Sequence, residues 1–185
     1  MRIVFIGPPG AGKGTQSVRL ADALGITCLS TGEVLRDARE GDTPAGREIA
    51  KRLDAGELVS DDLVLRIVAD RLAEADCRHG YLFDGFPRTL PQAEELDKLL
   101  ADHRAKLDAV VLFEIDEEEL FRRLASRGRA DDNVELIRQR LKDYAAITQP
   151  LAGYYEERGL LKRIDAVGTQ DEVYQRVCNA LGHRE

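Results

Sequence analysis

The sequence predicts an α/β fold, a five-stranded parallel sheet flanked by helices, carried as a single domain over residues 1–185. Three observations predict it. Short apolar segments alternate with amphipathic helical stretches, the pattern of successive βαβ units. Some segments are apolar without interruption, as in "AVVLF" at 109–113, which suits strands covered on both faces. The first segment, "RIVFI" at 2–6, runs directly into a glycine-rich loop that opens a helical stretch.

Strands are expected at 2–6, 26–29, 81–84, 109–115 and 161–165. Helices are expected at 13–24, 31–40, 44–55, 60–75, 89–101, 116–126, 133–157 and 170–181. Between the second and third strands lie three helices where one crossover helix would suffice. Residues 30–59 therefore read as a small helical insertion, punctuated by Gly41, Pro44 and Gly56. Asp61 and Asp62 suit the positive end of a helix dipole after Ser60. Asp132 with Glu135 fits an acidic variant of the capping box.

Composition narrows the function. Hydrophobic content of 43% and charged content of 33% describe a soluble globular chain. No apolar run approaches the ~20 residues of a membrane helix, so no membrane partner is expected. "IVFI" is too short for a signal-peptide core and is broken at once by Pro8 and Pro9, which points to the cytoplasm. Cys28, Cys77 and Cys178 are widely spaced and form no C-x-x-C pair, as in a reducing compartment and against a zinc knuckle. A net charge of −7 argues against nucleic acid. Six arginines nevertheless fall between Arg122 and Arg140. They fit either a solvated helix face or a set of planar forks for phosphate.

Four stretches carry chemistry. "GPPGAGKGT" at 7–15 fits a phosphate-binding loop, or P-loop, in which glycines admit phosphate oxygens to the backbone and Lys13 reaches the β/γ oxygens of a nucleotide. Gly14 occupies the place where the general pattern has a hydroxyl, and Thr15 arrives one residue late. Any Mg²⁺ must then depend more on phosphate oxygens and water. In "LFDGFPR" at 82–88, Asp84 ends a strand where an acid can hold the hydration shell of that ion, Gly85 permits close approach, and Arg88 suits a phosphate clamp. "STGEVLR" at 30–36 flanks a helix start with Thr31 and Arg36; Ser30 or Thr31 is equally explained as an N-cap. "SRGRADDN" at 126–133 makes a basic loop of Arg127, Gly128 and Arg129.

In this order and at these spacings, "GPPGAGKGTQ", "STGEVLR", "DGFPRTLPQA" and "GRADDN" resemble the adenylate kinases, with similarity reaching "DAVGTQDEV" near the C-terminus. The glycine after the loop lysine is shared with that family. The resemblance implies reversible phosphoryl transfer from ATP to AMP giving two ADP, with Mg²⁺, in the service of adenine nucleotide balance. It implies that Gly10, Ala11, Gly12, Lys13, Gly14 and Thr15 bind the ATP phosphates, that Arg127 touches ATP phosphate, that Arg123 stacks near the adenine, and that Gly168 meets the base through its backbone. It implies that Thr31, Arg36, Glu57, Leu58, Val59, Gly85, Phe86, Pro87, Arg88 and Gln92 bind AMP, with Arg129 and Arg140 on the acceptor side. Residues 30–59 then form the AMP-binding insertion and 127–132 a very short lid. The Phe86–Pro87 bond is cis in similar proteins.

The mechanism so implied is positioning and charge neutralisation by Lys13, Arg88, Arg127, Arg129 and Arg140, with Mg²⁺ held through water near Asp84. Closure of the insertion and lid would keep water out. Long-lid relatives often carry a metal knuckle; the 127–132 loop has no Cys or His, so no zinc is expected. A monomer is expected. Two rivals stand beside this reading: a pyrimidine nucleoside monophosphate kinase on the same scaffold, which Thr31 and Gln92 disfavour, and a nucleotide-binding switch, which would need no second arginine-lined pocket.

Overall fold

The computed structural model describes residues 1–32, 34, 35, 44–54, 59–127 and 134–183. Five parallel strands form one sheet: β1 (Arg2–Ile6), β2 (Thr27–Ser30), β3 (Tyr81–Asp84), β4 (Ala109–Glu114) and β5 (Leu161–Asp165), in the order β2-β3-β1-β4-β5. Each lies within a residue of its expected place. Among the described residues the bounded α-helices are α1 (Lys13–Leu24), α2 (Pro44–Asp54), α3 (Asp61–Leu72), α4 (Leu90–Asp102), α5 (Glu117–Arg127), α6 (Val134–Asp143), α7 (Leu151–Glu157) and α8 (Gln170–Leu181).

Side chains alternate across a strand, so a sheet covered on both faces needs apolar residues at successive positions. Val4, Ile6, Phe83, Val110 and Leu112 turn to one face, where Leu96, Leu100, Leu151 and Tyr155 of α4 and α7 cover them. Ile3, Phe5, Leu82, Val111 and Phe113 turn to the other, under Leu20 of α1 and Val173, Tyr174 and Val177 of α8. All five residues of "AVVLF" are buried, which accounts for the unbroken run.

The long helix expected at 133–157 is instead three pieces. Its α-helical part ends at Asp143, a π turn spans Tyr144–Thr148, and α7 begins after Pro150. Proline has no N–H to continue an α ladder, and its ring crowds the preceding turn. The chain widens by one residue just before it, with the Gln149 N–H donating to the Tyr144 carbonyl at 2.8 Å. The helix expected at 60–75 stops at Leu72, and a 3₁₀ turn follows at Ala75–His79. There Arg71 grips Asp76 through both terminal nitrogens, at 2.8 and 2.6 Å, and Cys77 is buried with its thiol donating to the Arg71 carbonyl. Burial pushes the Cys77 thiol above its usual pKa, so this cysteine acts as a packed apolar group. Ser60 makes no side-chain cap to α3, whereas Thr169 and Glu172 close a full capping box on α8. The Asp132 half of the other expected box lies outside the described residues.

Candidate active site

Parallel pairing brings three strand ends together. Register sets Phe5 beside Asp84 and Ser30 beside Asp84, so the loop after β1, the turn after β3 and the helical turn after β2 leave the same end of the sheet. Carboxyl ends of parallel strands are where α/β proteins bind ligands.

The loop after β1 is shaped by close contacts. At Gly7 a Cβ would sit 2.9 Å from the Phe113 Cβ, and at Gly10 (φ +89°) it would sit 2.9 Å from Leu124 Cγ. Both positions require glycine, one against β4 and one against α5. Ala11 is buried, and Gly12 (φ +93°) is the N-cap of α1. The positive end of α1 therefore opens onto the loop. Lys13 curls back over it, donating to the Gly7 carbonyl at 2.7 Å and the Pro8 carbonyl at 3.0 Å. Thr15 is exposed.

Gly14 and Asp84 face each other. A Cβ on Gly14 would lie 3.3 Å from Asp84 Oδ2, tighter than ordinary contact. The missing hydroxyl and the strand-end acid are thus one feature: the carboxylate stands where a side chain at 14 would crowd it. Thr31 is buried and its hydroxyl donates to the Asp84 carbonyl oxygen at 3.3 Å. Gly85 (φ +89°) follows, and a Cβ there would meet Thr31 Oγ1 at 2.9 Å and the Arg88 guanidinium at 3.2 Å. Phe86 is fully buried, the Phe86–Pro87 bond is cis, and Pro87 is buried behind it. Arg88 is exposed, with Nε donating to the Gly85 carbonyl at 2.8 Å.

Gln92 sits one turn into α4, 3% exposed. Its Oε1 accepts from the Arg88 N–H at 2.7 Å, and its Nε2 donates to Asp61 Oδ1 at 2.6 Å. The Thr89 hydroxyl accepts from the Gln92 N–H and donates to Asp61 Oδ2 at 3.0 Å. Sequence reasoning read Gln92 alone and missed Asp61 and Thr89. The pattern Thr89-x-x-Gln92 is itself a capping-box signature. Thr148, in the π turn, donates to the Arg88 carbonyl at 3.0 Å.

The other flank of the loop is held by Arg123. Its Nε donates to Glu119 at 2.6 Å, its Nη2 to the Ala166 carbonyl at 3.0 Å, and Nη1 lies 3.9 Å from where a Gly12 Cβ would stand. The guanidinium groups of Arg122 and Arg123 hold the Glu119 carboxyl below its usual pKa. Gly168 (φ +124°) leaves β5 toward α8, and a Cβ there would strike Glu172 Oε2 at 2.7 Å. Arg140 is half-buried on α6, and Val59 is buried ahead of α3. Arg36, Glu57, Leu58 and Arg129 lie outside the described residues, as does the side chain of Arg127.

A cavity of about 540 Å³ opens at the opposite end of the sheet, among Asp97, Leu107, Asp108, Arg158 and Leu160. It contains none of the motif residues, and the chemistry is assigned to the strand ends that do. Among the described residues no helix is long and apolar enough to cross a membrane, and no three His, Cys, Asp or Glu side chains are gathered to hold a metal ion.

Comparison with known proteins agrees with this geometry. The family model for adenylate kinase matches residues 5–160. The adenylate kinase of a Thermus thermophilus strain is 52% identical over 184 residues, covering 97% of this chain and 96% of its own. That of Thermobifida fusca is 52% identical over 188 residues and covers both chains in full. That of Mycobacterium sp. strain MCS is 48% identical over 182 residues, 98% of this chain and 99% of its own. With the loop, its facing acid, Arg88 and Arg123 at one end of a parallel sheet, the chain belongs to the adenylate kinases, the ATP:AMP phosphotransferases.

Proposed function

We propose that the strand-end cluster is the transfer site of a Mg²⁺-dependent reaction in which an AMP phosphate oxygen attacks the γ-phosphorus of ATP. The bond from that phosphorus to the β–γ bridging oxygen breaks, and two ADP result. No general base is required, since the acceptor oxygen is already anionic. The observation that carries this reading is the meeting of Lys13, the α1 N-terminus and Asp84 around the side-chain-free Gly14. Lys13 would leave its loop carbonyls for the β/γ oxygens, and the backbone of Gly10–Thr15 would line the phosphates. Arg88, Arg127, Arg129 and Arg140 would neutralise charge around the transferred group.

The donors present fit a metal that keeps its waters: Asp84 offers a carboxylate, and Gly14 offers no hydroxyl to compete with it. Mg²⁺, when bound with ATP, would supply neutralisation of phosphate charge, and Asp84 would hold it through water. Residues 30–59 would close over AMP and 127–132 over ATP. Arg123 would lie near the ATP adenine, and the Gly168 backbone beside it. Thr31, Arg36, Glu57, Leu58, Val59, Gly85, Phe86, Pro87, Arg88 and Gln92 would form the AMP pocket. Cys28, Cys77 and Cys178 are in no disulfide, which suits a reducing compartment, and the same reading makes the protein a cytoplasmic monomer, to be tested by size-exclusion chromatography.

The direct test is turnover with ATP against AMP, CMP, UMP and GMP, together with ADP alone. AMP should be strongly preferred and ADP should disproportionate to ATP and AMP. Preference for CMP or UMP would favour a pyrimidine kinase.

Two further outcomes are expected. Gln92→Ala and Thr31→Ala should raise the KM for AMP and barely move that for ATP, since an unpaired base edge costs ~1–3 kcal/mol. The reverse pattern in steady-state kinetics would mean that the two pockets are exchanged. Chelation by EDTA should stop turnover until Mg²⁺ is restored and leave the melting temperature unchanged. Stoichiometric zinc in tag-free protein, or a clear fall in melting temperature on chelation, would contradict this.

A further inference from the structure

We infer that Asp61 is a positioning residue for the acceptor nucleotide: its carboxylate locks the orientation of the Gln92 amide and so selects a base carrying an amino group over one carrying a keto group. The inference rests on the reading of Gln92 as the residue that meets the acceptor base.

The argument is one of donor and acceptor capacity. A glutamine amide has two lone pairs on oxygen and two N–H groups on nitrogen, and a 180° rotation exchanges their places. Gln92 spends one lone pair on the Arg88 N–H at 2.7 Å and one N–H on Asp61 Oδ1 at 2.6 Å. The Arg88 N–H can only donate, and an ionised carboxylate can only accept. A rotated amide would set its amino group against N–H and its oxygen against carboxylate, so one orientation is permitted. What remains to Gln92 is one acceptor and one donor in a fixed order. An adenine edge, with an amino donor beside a ring-nitrogen acceptor, is complementary to one such order; a 6-keto purine presents the reverse.

Asp61 is placed to hold this order firmly. It is the first residue of α3, directly after the 57–59 segment and Ser60, and it reaches across to the start of α4. Its second oxygen accepts from the Thr89 hydroxyl at 3.0 Å, which leaves that hydroxyl's lone pair to accept the Gln92 N–H. The carboxylate thus sets both the amide and the cap beneath it. Neither bond is explained by helix capping of α3, because Asp61 points away from its own helix to two residues about thirty positions along the chain.

The test is steady-state kinetics on Asp61→Ala, Asp61→Asn, Gln92→Ala and the Asp61→Ala/Gln92→Ala double variant, with AMP and IMP as alternative acceptors. Asp61→Ala should raise the KM for AMP about tenfold, leave the KM for ATP and the kcat at saturating AMP within about twofold, and narrow the preference for AMP over IMP. Asp61→Asn, which keeps one carbonyl oxygen for Gln92, should retain most of the AMP affinity. The double variant should be no worse than Gln92→Ala alone, because the effect runs through Gln92. If Asp61→Ala does not fold, Asp61→Ser, polar at the helix start but too short to reach Gln92, takes its place. An unchanged KM for AMP and unchanged AMP/IMP preference would overturn the proposal. So would an Asp61→Ala effect that persists in full without Gln92, or one confined to melting temperature. If Gln92→Ala itself leaves the KM for AMP unmoved, the reading of Gln92 fails first, and the proposal falls with it.

Discussion

Replacing Lys13 by methionine is expected to lower kcat by at least about a hundredfold and to leave the protein folded. Methionine keeps much of the length and apolar stem of lysine but carries no charge. In the structure the ammonium is held by two carbonyls of its own loop, Gly7 at 2.7 Å and Pro8 at 3.0 Å. Those bonds hold the side chain over its own loop, beside the glycine backbone and the α1 N-terminus, and the ammonium would leave them for phosphate in the proposed reaction. Their loss takes a charged donor from the carbonyls of the buried Gly7 and Pro8, the second of which keeps the Ala11 N–H at 3.2 Å, so the melting temperature should drop by several degrees, about 10 °C at most, with the protein still folded. Charge that builds on the β–γ bridge would lose its preorganised partner, and the proposed closure of the site would keep water from replacing it. Coupled turnover and thermal melting by circular dichroism check both halves. A variant keeping more than about a tenth of the wild-type kcat, a factor of only ~1.4 kcal/mol, would remove Lys13 from the role assigned to it.

What could be read from the chain was local. The strands were legible because both faces of the sheet are covered, so residues such as Val110 and Val111 are apolar in succession. The loop was legible because glycine at 10 and 12 is forced by backbone geometry that no nearby choice relaxes. The break at 144–148 was within reach, since Pro150 forbids a continuous helix. So were the Thr89–Gln92 and Thr169–Glu172 caps, since both follow the S/T-x-x-E/Q spacing. The rest depends on which strands are neighbours. That Gly14 faces Asp84 follows only when β1 pairs with β3 in a register that sets Phe5 beside Asp84. The tie from Asp61 to Gln92 and the bond from Thr148 to Arg88 join residues that no sequence period relates. Gln92 shows the limit well: a residue chosen for the base also anchors the turn that presents Arg88.

That anchoring makes Arg88→Lys a clean substitution, and it is expected to be severely impaired, with kcat down by about a hundredfold although the charge is kept. The backbone at 88 is pinned on both sides, its N–H by Gln92 Oε1 and its carbonyl by the Thr148 hydroxyl. Neither bond involves the side chain, so lysine inherits the same Cα position. What changes is the head group. The guanidinium uses Nε on the Gly85 carbonyl at 2.8 Å, which orients the plane and sets its terminal nitrogens as a pair. One of them lies 3.2 Å from where a Gly85 Cβ would stand, so the fork passes closely over a position kept bare. Lysine cannot make that anchor and present two parallel donors at once; it offers one ammonium on a flexible four-carbon stem. Since Arg88 is exposed, the melting temperature should be nearly unchanged. The KM for ATP should move little, and the loss should appear in kcat, where two phosphate chains must be held in line. Arg88→Lys within about threefold of wild type would show that charge alone is needed at this position, and Arg88→Ala at the same level would take Arg88 out of the site.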